Sequence, residues 1–309
     1  MKTKTVVSNE IIKFVLRVFN KQGYFRFKNK LRLEEKKAEL EEDFVEDLKN
    51  ITFLIKTKKV LNFKHSGHLG DLIYALPVIK EIAKDKKCNL FVNINQEFKG
   101  YYHKHPAGKV MITERIYNML FPLLDYQNYL NEVSIYNGEV IDVDLDLFRK
   151  LPISLQFNSS RWYFHVTGIQ TDLSVPFIDV PEHPSIKNKV IVIKTQRATN
   201  PFLDYSFIKK YKEILFVGTK QEYNDLKSDI PNLEFHDSKD FLELAQIIKS
   251  CKFYLSNQTF GYALAEGLKV NRILEANPEF PVISPIGGEG KDVYFQHNFE
   301  SVFEEFYNK

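Results

Sequence analysis

Cysteine is scarce: only Cys88 and Cys251 occur in 309 residues, and neither belongs to a CxxC pair. That argues against a disulfide framework and against a cysteine-based zinc site. No apolar run approaches the roughly 18 residues that a membrane-spanning helix needs. The N-terminus shows no signal-peptide core or small-residue cleavage site, so a cytoplasmic location is expected, possible also at the inner face of a membrane. Net charge is only +3, too little by itself to point to nucleic acid. What is abundant is aromatic: 26 Phe and 16 Tyr, enough for large cores or stacking surfaces. A chain of this length suggests two domains of ordinary size.

Charge is uneven at the start. The first 30 residues hold eight Lys or Arg and one acid, Glu10, and the run EEKKAELEEDFVED that follows is strongly acidic. Ile11, Ile12, Val15, Leu16 and Phe19 fall on one helical face opposite Lys13 and Arg17. Such a stripe predicts a helix packed on the main body; the alternative is a basic amphipathic helix at an anionic membrane surface. Leu33, Leu40, Phe44, Leu48 and Ile51 form a second stripe and predict a charged helix over 30–50. Residues 1–59 are therefore expected to form a helical extension.

From Val60 the pattern changes. VLNFKH reads as a strand, SGHLGD as a turn, LIYALPVIKEIAK as a helix and NLFVNI as the next strand. This is the strand–helix–strand unit of parallel sheets. DVDLDLF predicts an edge strand rather than a metal site, and RWYFHVTGI a helix or strand. A second alternating series begins at KVIVIKT and continues through EILFVGT, LEFHD, KFYLSN and NRILEA, with helices between; Asp237 or Ser238 is the expected cap of DFLELAQIIKSC. VISPIGGEGKDVYF reads as loop and FESVFEEFYN as a closing helix. Two prolines in VPEHPSIKN mark the boundary, giving domains over 60–183 and 184–309.

Three strand-to-helix turns carry the candidate chemistry. In SGHLGD, Gly67 and Gly70 form only G-x-x-G, which is neither the dinucleotide fingerprint nor a Walker loop. The glycines still allow close approach of a ligand to a helix N-terminus. Asp71 would lie in the first turn, either as a helix cap or as a general base. His65, His68 and Asp71 are spaced for a metal only if the segment were helical, which the glycines oppose; no metal is expected. KTQRATNPFLDY offers Lys194, Arg197 and Asn200 after a strand, either as phosphate ligands or as a solvated loop. SNQTFGYALAEGL places Asn257, Gln258, Thr259, Phe260 and Gly261 at a helix start, suited to a diphosphate or merely a polar cap. Glu266 and Glu275 could accept hydrogen bonds from ribose hydroxyls, or be solvated surface acids.

Together these segments resemble the lipopolysaccharide heptosyltransferase group, glycosyltransferase family nine. HSGHLGDLIYALP is similar to its first motif, G-x-x-G-D followed by an apolar stretch with L-P. FVGTKQEY, with Gly218, Thr219 and Lys220, and LELAQIIKSCKFYLSNQTFGYALAEGLKVNRILE are similar to its donor-binding half. The resemblance spans about residues 60–285. It implies an α/β fold of the GT-B type, two Rossmann-like domains facing a central cleft. It also implies inverting sugar transfer from a nucleotide-diphosphate sugar to an acceptor hydroxyl, with no obligatory cofactor or metal and Asp71 as the base. His65, Ser66, Gly67, His68 and Gly70 would then face the acceptor or a phosphate, and the C-terminal turns the donor. The chain departs from the family where D-[ST]-G-x-x-H is expected: SNQTFGYALAE lacks the histidine, which leaves heptose and the adenine base open. A GT-B epimerase acting on the free nucleotide sugar and a non-catalytic nucleotide-binding scaffold are the rival readings.

Overall fold

The computed structural model describes residues 2–98, 108–152 and 155–309. The chain divides into two compact units: residues 1–50 with 149–154, and residues 51–148 with 155–309. No described helix is long and apolar enough to cross a membrane.

In the first unit α1 (Lys2–Phe19) and α2 (Lys21–Asp43) meet at Asn20, whose side chain accepts from the Gly23 N–H at 2.8 Å and so starts α2. The expected single helix over 30–50 is two: α2 ends at Phe44, and α3 (Val45–Thr57) carries Ile51 and Ile55 into burial. The apolar residues of the α1 stripe are exposed to differing degrees. Ile11 is 59% exposed, Val15 46% and Phe19 83%.

The larger unit holds two all-parallel sheets. The first is built from β1 (Val60–His65), β2 (Lys87–Val92), β3 (Glu132–Ile135) and β4 (Val143–Asp144), in the order β3-β2-β1-β4. Its helices are α4 (Leu69–Ile82), α5 (Glu114–Asp125) and α6 (Ser160–Thr167). The second contains β5 (Val190–Ile193), β6 (Ile214–Val217), β7 (Glu234–His236), β8 (Phe253–Ser256), β9 (Arg272–Glu275) and β10 (Gly290–Val293), in the order β10-β9-β8-β5-β6-β7. Its helices are α7 (Lys220–Lys227), α8 (Phe241–Lys249), α9 (Phe260–Leu268) and α10 (Gln296–Asn308). VIVI, ILFV and FYLS are buried along their whole length, as central parallel strands covered on both faces must be. Phe299, Phe303 and Phe306 bury one face of α10 against Phe253, Tyr205 and Tyr211, an aromatic cluster inside the core.

Several elements differ from expectation. DVDLDLF keeps only Val143–Asp144 as an edge strand beside β1; Leu145–Lys150 turns into a 3-10 helix. RWYFHVTGI, by contrast, takes one of its two expected forms: it is helical and ends at Gly168 in the left-handed region, φ 73°. VISPIGGEGKDVYF is not all loop, because Gly290–Val293 pairs with β9 as a sixth strand. The α8 cap is Asp240, which accepts from the Glu243 N–H at 2.8 Å, not Asp237 or Ser238. Cys88 and Cys251 are both unbridged, and burial pushes the Cys88 thiol up to about 12.

The order of each sheet fixes where a ligand belongs. Strand order reverses between β1 and β4 in the first sheet and between β5 and β8 in the second. In open parallel sheets the crevice beyond the carboxyl ends at such a reversal is the binding position. The two reversals are linked by helix packing, since α4 lies against α9 and α5 against α8.

Candidate functional site

At the first reversal β1 ends in His65, which is fully buried. Its Nδ1 accepts the Gly67 N–H at 2.9 Å, which leaves the ring proton on Nε2, 2.9 Å from the Tyr163 hydroxyl. Tyr163 in turn donates to the Asp71 main-chain carbonyl at 2.8 Å. A chain of hydrogen bonds therefore runs from the turn through α6 to the first turn of α4. Both His65 nitrogens are used in it, so the His65–His68–Asp71 set does not assemble as a metal site. From the neighbouring strand end, Asp146 accepts the Ser66 N–H at 2.7 Å and has a carboxylate oxygen 3.9 Å from His65 Nδ1. Ser66 Oγ accepts from Asn93 at 3.1 Å, and the His68 ring packs edge-on against Phe98, 4.9 Å between centroids.

Asp71 is the third residue of α4 and is partly exposed. The N-cap position belongs to His68, whose side chain makes no capping bond. Asp71 thus lies inside the helix, at its third residue, rather than at the N-cap position itself. A carboxylate in the first helical turn, with its main chain held by Tyr163, is placed and still accessible.

The two glycines of the turn do different work. Gly67 has φ +114°, and a Cβ there would meet Met111 and Ile112 atoms at 2.9 Å. A Cβ on Gly70 would meet nothing within 4 Å. Gly67→Ala is therefore expected to cost about 1–3 kcal/mol of stability by strain. Gly70→Ala should leave denaturant stability unchanged or slightly raised, alanine being about 1 kcal/mol the better helix former, yet lower ligand affinity if the open space above Gly70 is where ligand sits. Equal losses of stability in both variants would contradict this division.

At the second reversal the residues following β5 and β8 are tied together. Asn257, fully buried, donates to the carbonyls of Thr195 (3.0 Å) and Arg197 (2.6 Å) and accepts from the Thr195 N–H (3.2 Å). It shapes the loop that presents Arg197, a half-buried residue followed by Ala198 in the left-handed region at φ 50°. Thr259 caps α9 by accepting from the Tyr262 N–H at 3.1 Å. Gln258 is partly exposed and reaches the Phe280 carbonyl at 2.7 Å. Phe260 packs on Phe241, 4.6 Å between centroids. Gly261 permits close packing of α9 on the sheet, since a Cβ would collide with the Tyr254 hydroxyl. One strand further along, Gly218 ends β6 against Phe216, Thr219 caps α7, and the exposed Lys220 lies 4.3 Å from the Tyr223 and Phe235 ring centroids.

Other expected donor residues are committed inside the fold. Glu275 is fully buried and accepts from the Asn200 N–H at 2.5 Å and from the Tyr205 hydroxyl at 2.7 Å, with Lys194 Nζ at 3.3 Å. Asn200 donates its amide to the Ala276 and Tyr294 carbonyls, each at 3.0 Å. Burial, reinforced by the Glu275 charge, holds the Tyr205 hydroxyl well above its ordinary value, so it stays protonated as the donor. Glu266 is also buried, 2.6 Å from Arg272 Nε and ion-paired with Lys269. Both acids therefore serve internal networks, and neither the ribose expectation nor that of solvated acids holds for them. Asp146, Tyr163, Tyr205, Lys269 and Arg272 are network residues that the sequence did not single out. The alternating aspartates of DVDLDLF were the only signal for Asp146, and nothing local marks the two tyrosines.

No protein-family model matches the chain, and no curated protein matches it significantly. Solved structures do. The family-nine glycosyltransferase of Veillonella parvula aligns at TM-score 0.53 and 11% identity, over 80% of this chain and 89% of that one. The E. coli heptosyltransferase WaaC, solved with ADP-2-deoxy-2-fluoro heptose, aligns at 0.55 and 10%, over 80% and 99%. E. coli ADP-heptose lipopolysaccharide heptosyltransferase II aligns at 0.55 and 11%, over 81% and 99%. The larger unit therefore has the GT-B fold.

Proposed function

We propose that the protein is a glycosyltransferase that moves a sugar from a nucleotide-diphosphate sugar to an acceptor hydroxyl, with inversion and without an obligatory metal. Residues 60–183 form the acceptor side and residues 184–309 the donor side. The observation that carries the reading is the pairing of an accessible, main-chain-anchored Asp71 at one strand-order reversal with Arg197 and the capped α9 N-terminus at the other. Asp71 takes the acceptor proton as the hydroxyl oxygen attacks the anomeric carbon. The bond from that carbon to the diphosphate oxygen breaks on the opposite face. Arg197, assisted by Gln258, Lys220 and main-chain N–H groups of the α9 turn, stabilises the charge that grows on the leaving diphosphate.

Arg197→Ala is expected to weaken binding of the cognate nucleoside diphosphate about tenfold or more, the loss of a hydrogen bond to a charged group. Calorimetry in the presence of a chelator measures it. An unchanged Kd would remove Arg197 from the donor site. Interconversion of the free nucleotide sugar with no acceptor present would replace transfer by epimerisation.

A further inference from the structure

The α1–α2 extension turns outward the surface that a helix ordinarily buries. At 100° per residue, Phe14, Val18, Ile11, Val15, Phe19 and Ile12 fall within an arc of about 160°. All six are exposed, from 39% at Ile12 to 83% at Phe19. Among the described positions of the helix, the half-buried ones, Asn9, Lys13 and Leu16, lie toward its other side. In α2, Phe25 is 53% exposed and Leu33 60%. Charge follows the same division. From Ser8 to Leu33 there are seven basic residues and one acid, Glu10; from Glu34 to Asp47 there are eight acids and two lysines.

We propose that α1 and the first half of α2 form an interfacial anchor for an anionic phospholipid surface, with the apolar face in the headgroup–acyl boundary. The exposed area is too continuous for scattered surface hydrophobics. Aromatic and aliphatic side chains beside a strongly basic, poorly acidic flank are the composition that lies in such an interface, and the lysines and arginines match the negative potential of an anionic leaflet. The acidic stretch from Glu34 onward is repelled by the same surface, so the contact ends within α2. Anchoring does not depend on the transfer reaction. It raises the local concentration of any membrane-borne acceptor by tethering.

Flotation of the full-length protein with phosphatidylcholine vesicles, with and without phosphatidylglycerol, tests this. The expected result is flotation with the anionic vesicles, lost as salt is raised because the attraction is screened. Lys21→Glu with Arg26→Glu, both at exposed helical positions where glutamate is a good helix former, should lower the bound fraction's partition constant about tenfold or more. Phe14→Ser with Val18→Ser should lower it by a similar factor of about ten while circular dichroism stays unchanged. The proposal is overturned if the protein does not float, if it floats equally on neutral vesicles, or if the Phe14 and Val18 changes abolish self-association in sedimentation while lipid binding is absent.

Discussion

The Asp71→Asn protein is expected to bind nucleotide sugar as the parent does and to turn it over about 10²–10⁴-fold more slowly, the range for removal of a general base. The substitution changes the side chain's ability to accept a proton and little else. The residue's place is fixed by its main chain: Tyr163 donates to the Asp71 carbonyl, and His65 holds Tyr163. An asparagine leaves those bonds intact. The fall should therefore appear in kcat, with donor Kd nearly unchanged. Parallel measurement of turnover and calorimetric affinity separates the two, and near-parent turnover would remove Asp71 as the base. Tyr163→Phe is the useful companion, since it frees the Asp71 carbonyl without touching the carboxylate.

The second large effect concerns stability. Glu266→Ala should cost about 3–5 kcal/mol, because it strands a buried guanidinium. Arg272 is fully buried; its Nε donates to Glu266 at 2.6 Å, Nη1 to the Val270 carbonyl at 3.0 Å and Nη2 to the Ile286 and Gly287 carbonyls at 3.0 and 2.9 Å. Burial lowers the Lys269 ammonium from its ordinary value, and the Glu266 carboxylate only partly offsets this. Losing that carboxylate removes the counter-charge of two buried cations. Replacing both members, Glu266→Leu with Arg272→Met, should cost much less than the sum of the single changes, as apolar substitutes for a buried pair often do. Denaturant unfolding of Glu266→Leu, Arg272→Met and the double variant measures the coupling. Additive losses would mean that the pair does not act as a unit.

The sequence made the fold legible where periodicity and composition speak locally. VIVI, ILFV and FYLS announced buried parallel strands, and the glycine-bearing turns after β1 and β8 marked helix starts. Short or edge elements were lost: Glu132–Ile135 and Gly290–Val293 have too few apolar residues to signal a strand, and their pairing with β2 and β9 decides them. The stripe of α1 is legible in the sequence as a face and no further. Helical periodicity tells which residues share a face but not whether protein or another surface covers it.

For the site, the turns were identifiable and their internal wiring was not. Asp71, Arg197 and Thr259 stand in the turns where the residue pattern placed them. Glu266 and Glu275 looked equally available, yet Arg272 and Tyr205 claim them, through contacts set by tertiary packing. His65 could be read as a ligand until Gly67 and Tyr163 were seen to occupy both of its nitrogens.

Thermal unfolding of the full-length protein against ADP, GDP and UDP and their sugar conjugates, with chelator present, tests the central claim most directly. One nucleotide series should stabilise the protein by about 2.7 kcal/mol at a hundredfold excess over Kd, with the effect reduced in Arg197→Ala and retained in Asp71→Asn. No stabilisation by any nucleotide or nucleotide sugar would contradict a donor site in the C-terminal half, and with it the assignment of glycosyl transfer.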